Sequence, residues 1–380
     1  MKQPRIYLDW NATTPLRHEA RSAIVAALEV TGNPSSIHTE GRKARRLVTE
    51  ARAAVAAALG ADARDVIFTS GGTEANVTAL APGLRRGAGA AVERLMVSAI
   101  EHVSVLAGGL FPADRITRIR VRRDGVVDLD DLAERLNEGP PALVSLMVAN
   151  NETGAIQPVA AAAELVHRAG GLLHADAIQA FGRIPLSLKE LKADLVTVSG
   201  HKIGGPKGVG AVVTAGEVIW PRPLIAGGGQ EQNRRAGTEN VAGIAGFGAA
   251  VAAAMAAQEV EAKQLACLRD RLERGLRQYP RLEVFSGEVE RLPNTSLIGV
   301  PGLRAETAVI AFDLAGVAVS SGSACSSGKV TRSHVLSAMG VPDNLAEGAI
   351  RFSLGWDITE ADVDLALEAW RTVSGALAKE

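Results

Sequence analysis

Cysteine is almost missing from this chain: among 380 residues there are two, Cys267 and Cys325. Two isolated thiols cannot build a disulfide framework, so a reducing, cytoplasmic setting is expected. Aromatic residues are also scarce, with seven Phe, four Trp and two Tyr. That argues against stacking platforms for bases or sugars. Neither sign of charge dominates: 41 Lys and Arg stand against 42 Asp and Glu, a net charge of −1. No bulk electrostatic pull toward nucleic acid or an anionic membrane follows, and neither is expected as a partner. The seven histidines form no HExxH, and CxxC and GxSxG are absent. Metal-assisted hydrolysis and serine-hydrolase chemistry are therefore not expected. The N-terminal residues have neither the apolar core of a secretory signal nor transit-peptide character. One long uncharged run, 241–257, consists mostly of Ala and Gly. Side chains that small favour a tightly packed buried helix over a membrane span.

What is present reads as an α/β protein. Hydrophobic residues make up 47% of the chain, enough for a sizeable core. Short apolar runs at 65–69, 94–98, 142–148, 171–175, 194–199 and 210–214 predict buried strands. Amphipathic helical patterns lie between several of them, such as 159–169 after Gln157-Pro158. Strands this apolar have no wet face, so a mostly parallel sheet covered by helices is expected. After about residue 255 the pattern changes. A helix at 252–278 leads to strands at 295–300 and 308–311 and a terminal helix at 360–377, which predicts a smaller α+β domain. The expected division is 12–255 for a large domain, with 1–11 and 256–380 forming the small one.

Function in such sheets sits beyond the carboxyl ends of the strands, and polar groups collect there. Ser70-Gly71-Gly72-Thr73-Glu74-Ala75-Asn76 follows the first strand and opens a helix. It reads either as a phosphate cradle at a helix N-terminus or as an ordinary strand–helix turn. Asp176 ends an apolar strand, where its charge needs a cation, a metal or several donors unless it merely caps the next helix. His174, on the same strand face, reads as a hydrogen-bonded structural histidine. Ser199-Gly200-His201-Lys202 ends another strand before a turn rich in Gly and Pro. The apolar flank would desolvate Lys202 and make it a Schiff-base candidate, whereas Lys207 reads as a surface or structural residue. Around Cys325, the run Ser320-Ser321-Gly322-Ser323-Ala324-Cys325-Ser326-Ser327-Gly328-Lys329 implies an accessible loop. Cys267, inside a helical pattern, reads as inert core filling.

Taken together, the strand-end Asp, the strand-end Lys and the Thr-bearing loop resemble the pyridoxal-phosphate enzymes of the aspartate-aminotransferase fold (fold type I). Further motifs narrow this to a resemblance to the cysteine desulfurases of the class V aminotransferase group. They are Tyr7-Leu8-Asp9-Trp10-Asn11-Ala12-Thr13-Thr14-Pro15, Gly32-Asn33-Pro34-Ser35-Ser36-Ile37-His38, Glu101-His102 and Asn150-Asn151-Glu152-Thr153-Gly154. Arg234-Arg235-Ala236-Gly237-Thr238-Glu239-Asn240 and Arg351-Phe352-Ser353-Leu354-Gly355 complete the ordered set, which spans nearly the whole chain.

The resemblance implies pyridoxal 5'-phosphate as cofactor, with Lys202 joined to it as a Schiff base. Asp176 would pair with the pyridine nitrogen, Gln179 with the ring hydroxyl, and His102 would stack on the ring and assist proton transfer. Thr73, Ser199 and His201 would bind the phosphate, joined by Thr238 from the other subunit of a homodimer. Asn151 and Arg351 would grip the carboxylate of L-cysteine. Cys325 would take the sulfur as a persulfide and pass it to an iron–sulfur scaffold or another acceptor protein, leaving L-alanine. The loop resembles the long-loop branch, which serves iron–sulfur scaffolds or nitrogenase maturation. A selenocysteine lyase or a small-amino-acid aminotransferase of the same fold is the alternative enzyme, and a non-catalytic interaction protein the alternative outside enzymes. Two departures stand out: Gly204 where relatives usually carry a bulky residue, and Trp356 where many have an arginine.

Overall fold

The computed structural model describes residues 5–216, 218–322 and 332–377. Its main sheet has seven strands in the order Val66–Thr69, Gly210–Thr214, Leu195–Ser199, Leu172–Asp176, Ala142–Met147, Arg94–Ser98 and Ile116–Ile119. Only Gly210–Thr214 runs against its neighbours; the remaining pairs are parallel. The inner strands are buried along their whole length, as their unbroken apolar runs require. Each expected strand of this sheet is present to within one residue at either end. Asp176 is the last residue of its strand, at the strand end where the sequence placed it.

The uncharged run at 241–257 is the first half of a single helix, Val241–Leu276, and not a segment preceding one that starts at 252. By length and composition alone this helix could cross a membrane. Its small-residue face is instead covered by the helices His18–Leu28 and Thr39–Leu59. The approach is close: a Cβ on Gly248 would lie 2.6 Å from Ala51 Cα. The Asn240 side chain caps the helix by accepting from Gly243 N–H at 3.0 Å. Thr39–Leu59 is capped at its start by His38, and left-handed Gly60 ends it.

A second, antiparallel sheet follows the order Glu283–Val284, Thr295–Gly299, Ile350–Ser353, Ser320–Ser321. Leu8, Leu272, Phe312, Phe352 and Trp370 fill the core behind it. The strand expected at 308–311 is not there: those residues belong to a helix, Ala305–Leu314. Ala305, Ala308 and Phe312 are its buried positions, spaced as one helical face, while Ile310 and Leu314 are exposed. A short apolar run without polar punctuation does not reveal that spacing. The N-terminal strand Ile6–Tyr7 pairs in parallel with Val317–Ala318, and Asp9 bridges to Ser353. The chain then passes from this sheet directly to the carboxyl edge of the large one, which sets residues 10–14 beside the site.

Candidate active site

A cavity of about 270 Å³ opens at the carboxyl ends of the parallel strands. Its lining includes Thr73, His102, Asn151, Asp176, Gln179, Ser199, His201 and Lys202. Five separate stretches of the sequence thus meet because their strands or adjacent turns end at the same edge. Thr73 lies in the first turn of the helix Gly72–Ala79, and Ser199 ends Leu195–Ser199. Lys202 sits in the single turn Gly200–Lys202 that follows.

Asp176 is buried, accepting from Asn76 Nδ2 at 2.8 Å and from Ile178 N–H at 2.9 Å. Burial outweighs these donors and the positive pull of Lys202, and the carboxyl is held above its ordinary range. Such a group is stabilised as an anion by any cation brought into the cavity.

Asn76 also organises the opposite wall. Its Nδ2 donates to Ser104 Oγ at 2.9 Å, and its Oδ1 accepts from Thr197 Oγ1 at 2.6 Å. Thr197, having given its proton, accepts from His174 Nε2 (3.0 Å), so His174 Nδ1 accepts from Ser145 Oγ (2.8 Å). Burial pushes the His174 pKa down to about 3, consistent with this neutral tautomer. By the same reasoning Ser104 Oγ donates to His102 Nδ1 at 2.8 Å, and Ser104 N–H donates to it at 3.2 Å. The network therefore leaves the His102 proton on Nε2. Burial lowers the pKa of His102 as well, which keeps it neutral. His201 is pushed down to about 4, chiefly by burial and then by Lys202.

The Lys202 ammonium donates to the carbonyls of Asn11 and Ala12, the latter at 2.9 Å. Gln179 donates to the same Asn11 carbonyl at 3.0 Å and accepts from Arg183 at 2.7 Å. The Ser199 hydroxyl is buried and finds no partner among the described residues. A buried hydroxyl without a partner is costly unless a ligand supplies one.

Two expected site residues are not part of the lining. Arg351 lies behind Asn151, donating to its backbone carbonyl at 2.9 Å and to Asp9 Oδ1 at 2.6 Å. Its Nε is buried without a partner among the described residues. Thr238 is exposed, away from the cavity. Cys325 lies outside the described residues. Among the described residues that flank this segment, Ser333 Oγ donates to Glu152 Oε2 at 2.6 Å, and a Cβ on Gly322 would fall 2.8 Å from the same oxygen. Glu152 follows Asn151 directly, and burial raises its pKa to about 7. Cys267 corrects an expectation: it is exposed on the outer face of Val241–Leu276, not packed in the core. Its neighbours Leu265 and Leu268 take the buried face instead. Lys207 is exposed, as expected.

Three further residues hold the site: Asn11 and Asn76, which stand in motifs quoted above without a role of their own, and Ser104, which stands in none. Asn76 had a local signal of its own, as an amide in mid-helix beside a candidate phosphate loop.

The fold and this cavity define a class. The class-V aminotransferase family model matches residues 6–366, and the chain belongs to that family. Within it the chain groups with the cysteine desulfurases: it is 45% identical over 370 residues to the cysteine desulfurase of Cereibacter sphaeroides, covering 96% of this chain and 94% of that one. Among solved structures it is similar to the NifS-like protein of Rickettsia africae, with a TM-score of 0.87, 37% identity and coverage of 98% and 99% of the two chains. It also resembles SspA in complex with cysteine, with a TM-score of 0.74, 26% identity and coverage of 92% and 99%.

Proposed function

We propose that this protein is a pyridoxal-phosphate-dependent cysteine desulfurase that converts L-cysteine and its own Cys325 thiol into L-alanine and a Cys325 persulfide. The observation that carries this reading is one cavity containing the Lys202 ammonium, the Asp176 carboxyl and the Ser199 hydroxyl, which has no partner among the described residues. Lys202 is the group to hold the cofactor. Thr73, Ser199 and His201 suit its phosphate, Asp176 its ring nitrogen and Gln179 its ring oxygen. When bound, the cofactor supplies an acceptor for the electron pair left at the substrate Cα.

The remaining chemistry belongs to the chain. Asn151, backed by Arg351, orients the substrate carboxylate, so that the Cα proton faces Lys202. Lys202, seated on two carbonyls when charged, removes and returns that proton. Neutral His102, with its proton on Nε2, can donate toward the substrate as charge develops. Cys325, as thiolate, attacks the substrate Sγ. The new S–S bond forms as the Cβ–Sγ bond breaks, and the carbon retains its electron pair and is protonated to alanine. Sulfur then passes to an iron–sulfur scaffold or another acceptor in a reducing cytoplasm. Exposed Thr238 suits a homodimer in which it completes the phosphate site of the partner subunit.

The test uses purified protein loaded with pyridoxal phosphate. A visible absorbance band should form, be abolished by borohydride and be lost in Lys202→Ala. Cys325→Ala should keep the band but make little persulfide. Alanine and sulfide production from cysteine by Cys325→Ala at the wild-type rate would sink the proposal.

A further inference from the structure

Asn11 is 1% exposed and lies where the N-terminal segment crosses from the second sheet to the cavity. Its side-chain amide uses all four of its hydrogen-bonding positions. Nδ2 donates to the Asn151 carbonyl at 3.1 Å and to Thr295 Oγ1 at 2.9 Å. Oδ1 accepts from Arg183 at 2.6 Å and from Asn294 at 3.1 Å. The amide cannot flip: a guanidinium only donates and a carbonyl only accepts, so these two neighbours fix which end is which.

The backbone of Asn11 is engaged as well. Its carbonyl accepts from both Lys202 Nζ and Gln179 Nε2. Its N–H donates to Ser353 Oγ at 3.0 Å. One residue therefore touches the lysine end of the cavity through its backbone and the Asn151 end through its side chain, while anchored to the second sheet at Thr295. The Asn151 carbonyl it holds is the one that also receives Arg351.

We propose that Asn11 is a positioning residue that sets the distance and angle between Lys202 and the Asn151–Arg351 pair. An α-amino acid must present its Cα proton to the lysine while its carboxylate is gripped elsewhere, so the two groups need a common frame. Asn11 is that frame. The inference rests on the reading of the site given above.

Three variants test it: Asn11→Asp, Asn11→Ala and Thr295→Val. Asn11→Asp keeps the shape and the two acceptor bonds but can donate to neither Asn151 nor Thr295. It is expected to raise KM for L-cysteine about tenfold or more, since both Nδ2 bonds are lost, with a smaller effect on kcat. The added negative charge should also raise the pKa of the Lys202–cofactor adduct, read from absorbance against pH without cysteine. Asn11→Ala should raise KM at least as much. Thr295→Val removes an Asn11 partner outside the cavity and should raise KM two- to threefold; it decides the matter if the Asn11 variants do not fold. A lowered Tm with KM, kcat and adduct pKa all at wild-type values would overturn the proposal and leave Asn11 purely structural. A wild-type protein that forms no adduct or no alanine would instead refute the desulfurase reading, independently of the variants.

Discussion

Trp356, together with Arg17, fills the space that Gly204 leaves open beside Lys202. A Cβ at Gly204 would lie 2.9 Å from Trp356 Cη2 and overlap the Arg17 side chain. Gly204 also has φ +86°, a conformation that suits glycine. Arg17 completes the layer. Its guanidinium stacks 3.9 Å above Trp356 and forms a bidentate pair with Glu261 at 2.7 and 2.9 Å, and its Nε donates to the Ile203 carbonyl at 3.1 Å. Trp356 in turn meets Trp10 edge-on at 4.5 Å between ring centroids. Gly204 and Trp356 thus belong to one packing layer: the room left at 204 is filled by the Arg17 side chain, with the Trp356 indole stacked against it.

That relationship predicts non-additive stability. Gly204→Ala should cost roughly 2 kcal/mol, from left-handed strain plus overlap, and Trp356→Ala a similar amount for the lost packing. The double variant should cost less than the sum, because one of the two groups the new methyl strikes is gone and Arg17, the other, can shift into the space the indole leaves. Urea melts of the three variants measure this; strict additivity would show that the two sites do not interact.

Asn76 supports both Asp176 and, through Ser104, His102. Replacing it with Ala removes a donor from Asp176 and the partner that orients the Ser104 hydroxyl. The Asp176 carboxyl should then rise further, at about 1.4 kcal/mol per pKa unit. We expect kcat to fall roughly 10- to 100-fold, with weaker cofactor retention, which dialysis and absorbance would follow. Wild-type kcat in Asn76→Ala would rule out this support role.

Glu152 makes a pH-dependent contribution whose sign is unusual for a carboxylate. Its folded pKa, about 7, lies above its ordinary 4.5, so the folded state binds more protons between those values. Its ionisation therefore destabilises the fold as pH rises through that window, by up to about 3 kcal/mol once complete. His174 acts oppositely: with a folded pKa of about 3, its contribution is lost as pH falls below 6.5. Glu152→Gln should consequently gain stability relative to wild type at pH 8 compared with pH 5. Thermal melts at the two pH values test the difference, and a constant offset would contradict it.

Exposure of Cys267 predicts that it reacts readily with an aromatic disulfide reagent in the folded protein. Cys267→Ala should lose one reactive thiol and keep full alanine production. Protection of Cys267 until denaturant is added would contradict its placement.

The sequence by itself determined six of the seven strands of the large sheet, all but Ile116–Ile119, and the polar groups at their ends. Apolar runs, a strand-end Asp176, a strand-end Lys202 and the Thr73 turn are local signals, because a strand's burial and the group that follows it are both written in consecutive residues. Local signals also misled. Residues 308–311 read as a strand and fold as helix, since four apolar residues fit either period. Cys267 was expected inside, but a helix rotates about 100° per residue and places it outward between two buried leucines. What only the tertiary structure decided is which distant polar groups meet. The Asn76 network, the pairing of Gly204 with Trp356 and the four bonds of the Asn11 amide each join residues from separate elements. No periodicity encodes such partners: hydrogen bonds between elements depend on where the packed sheets bring their ends.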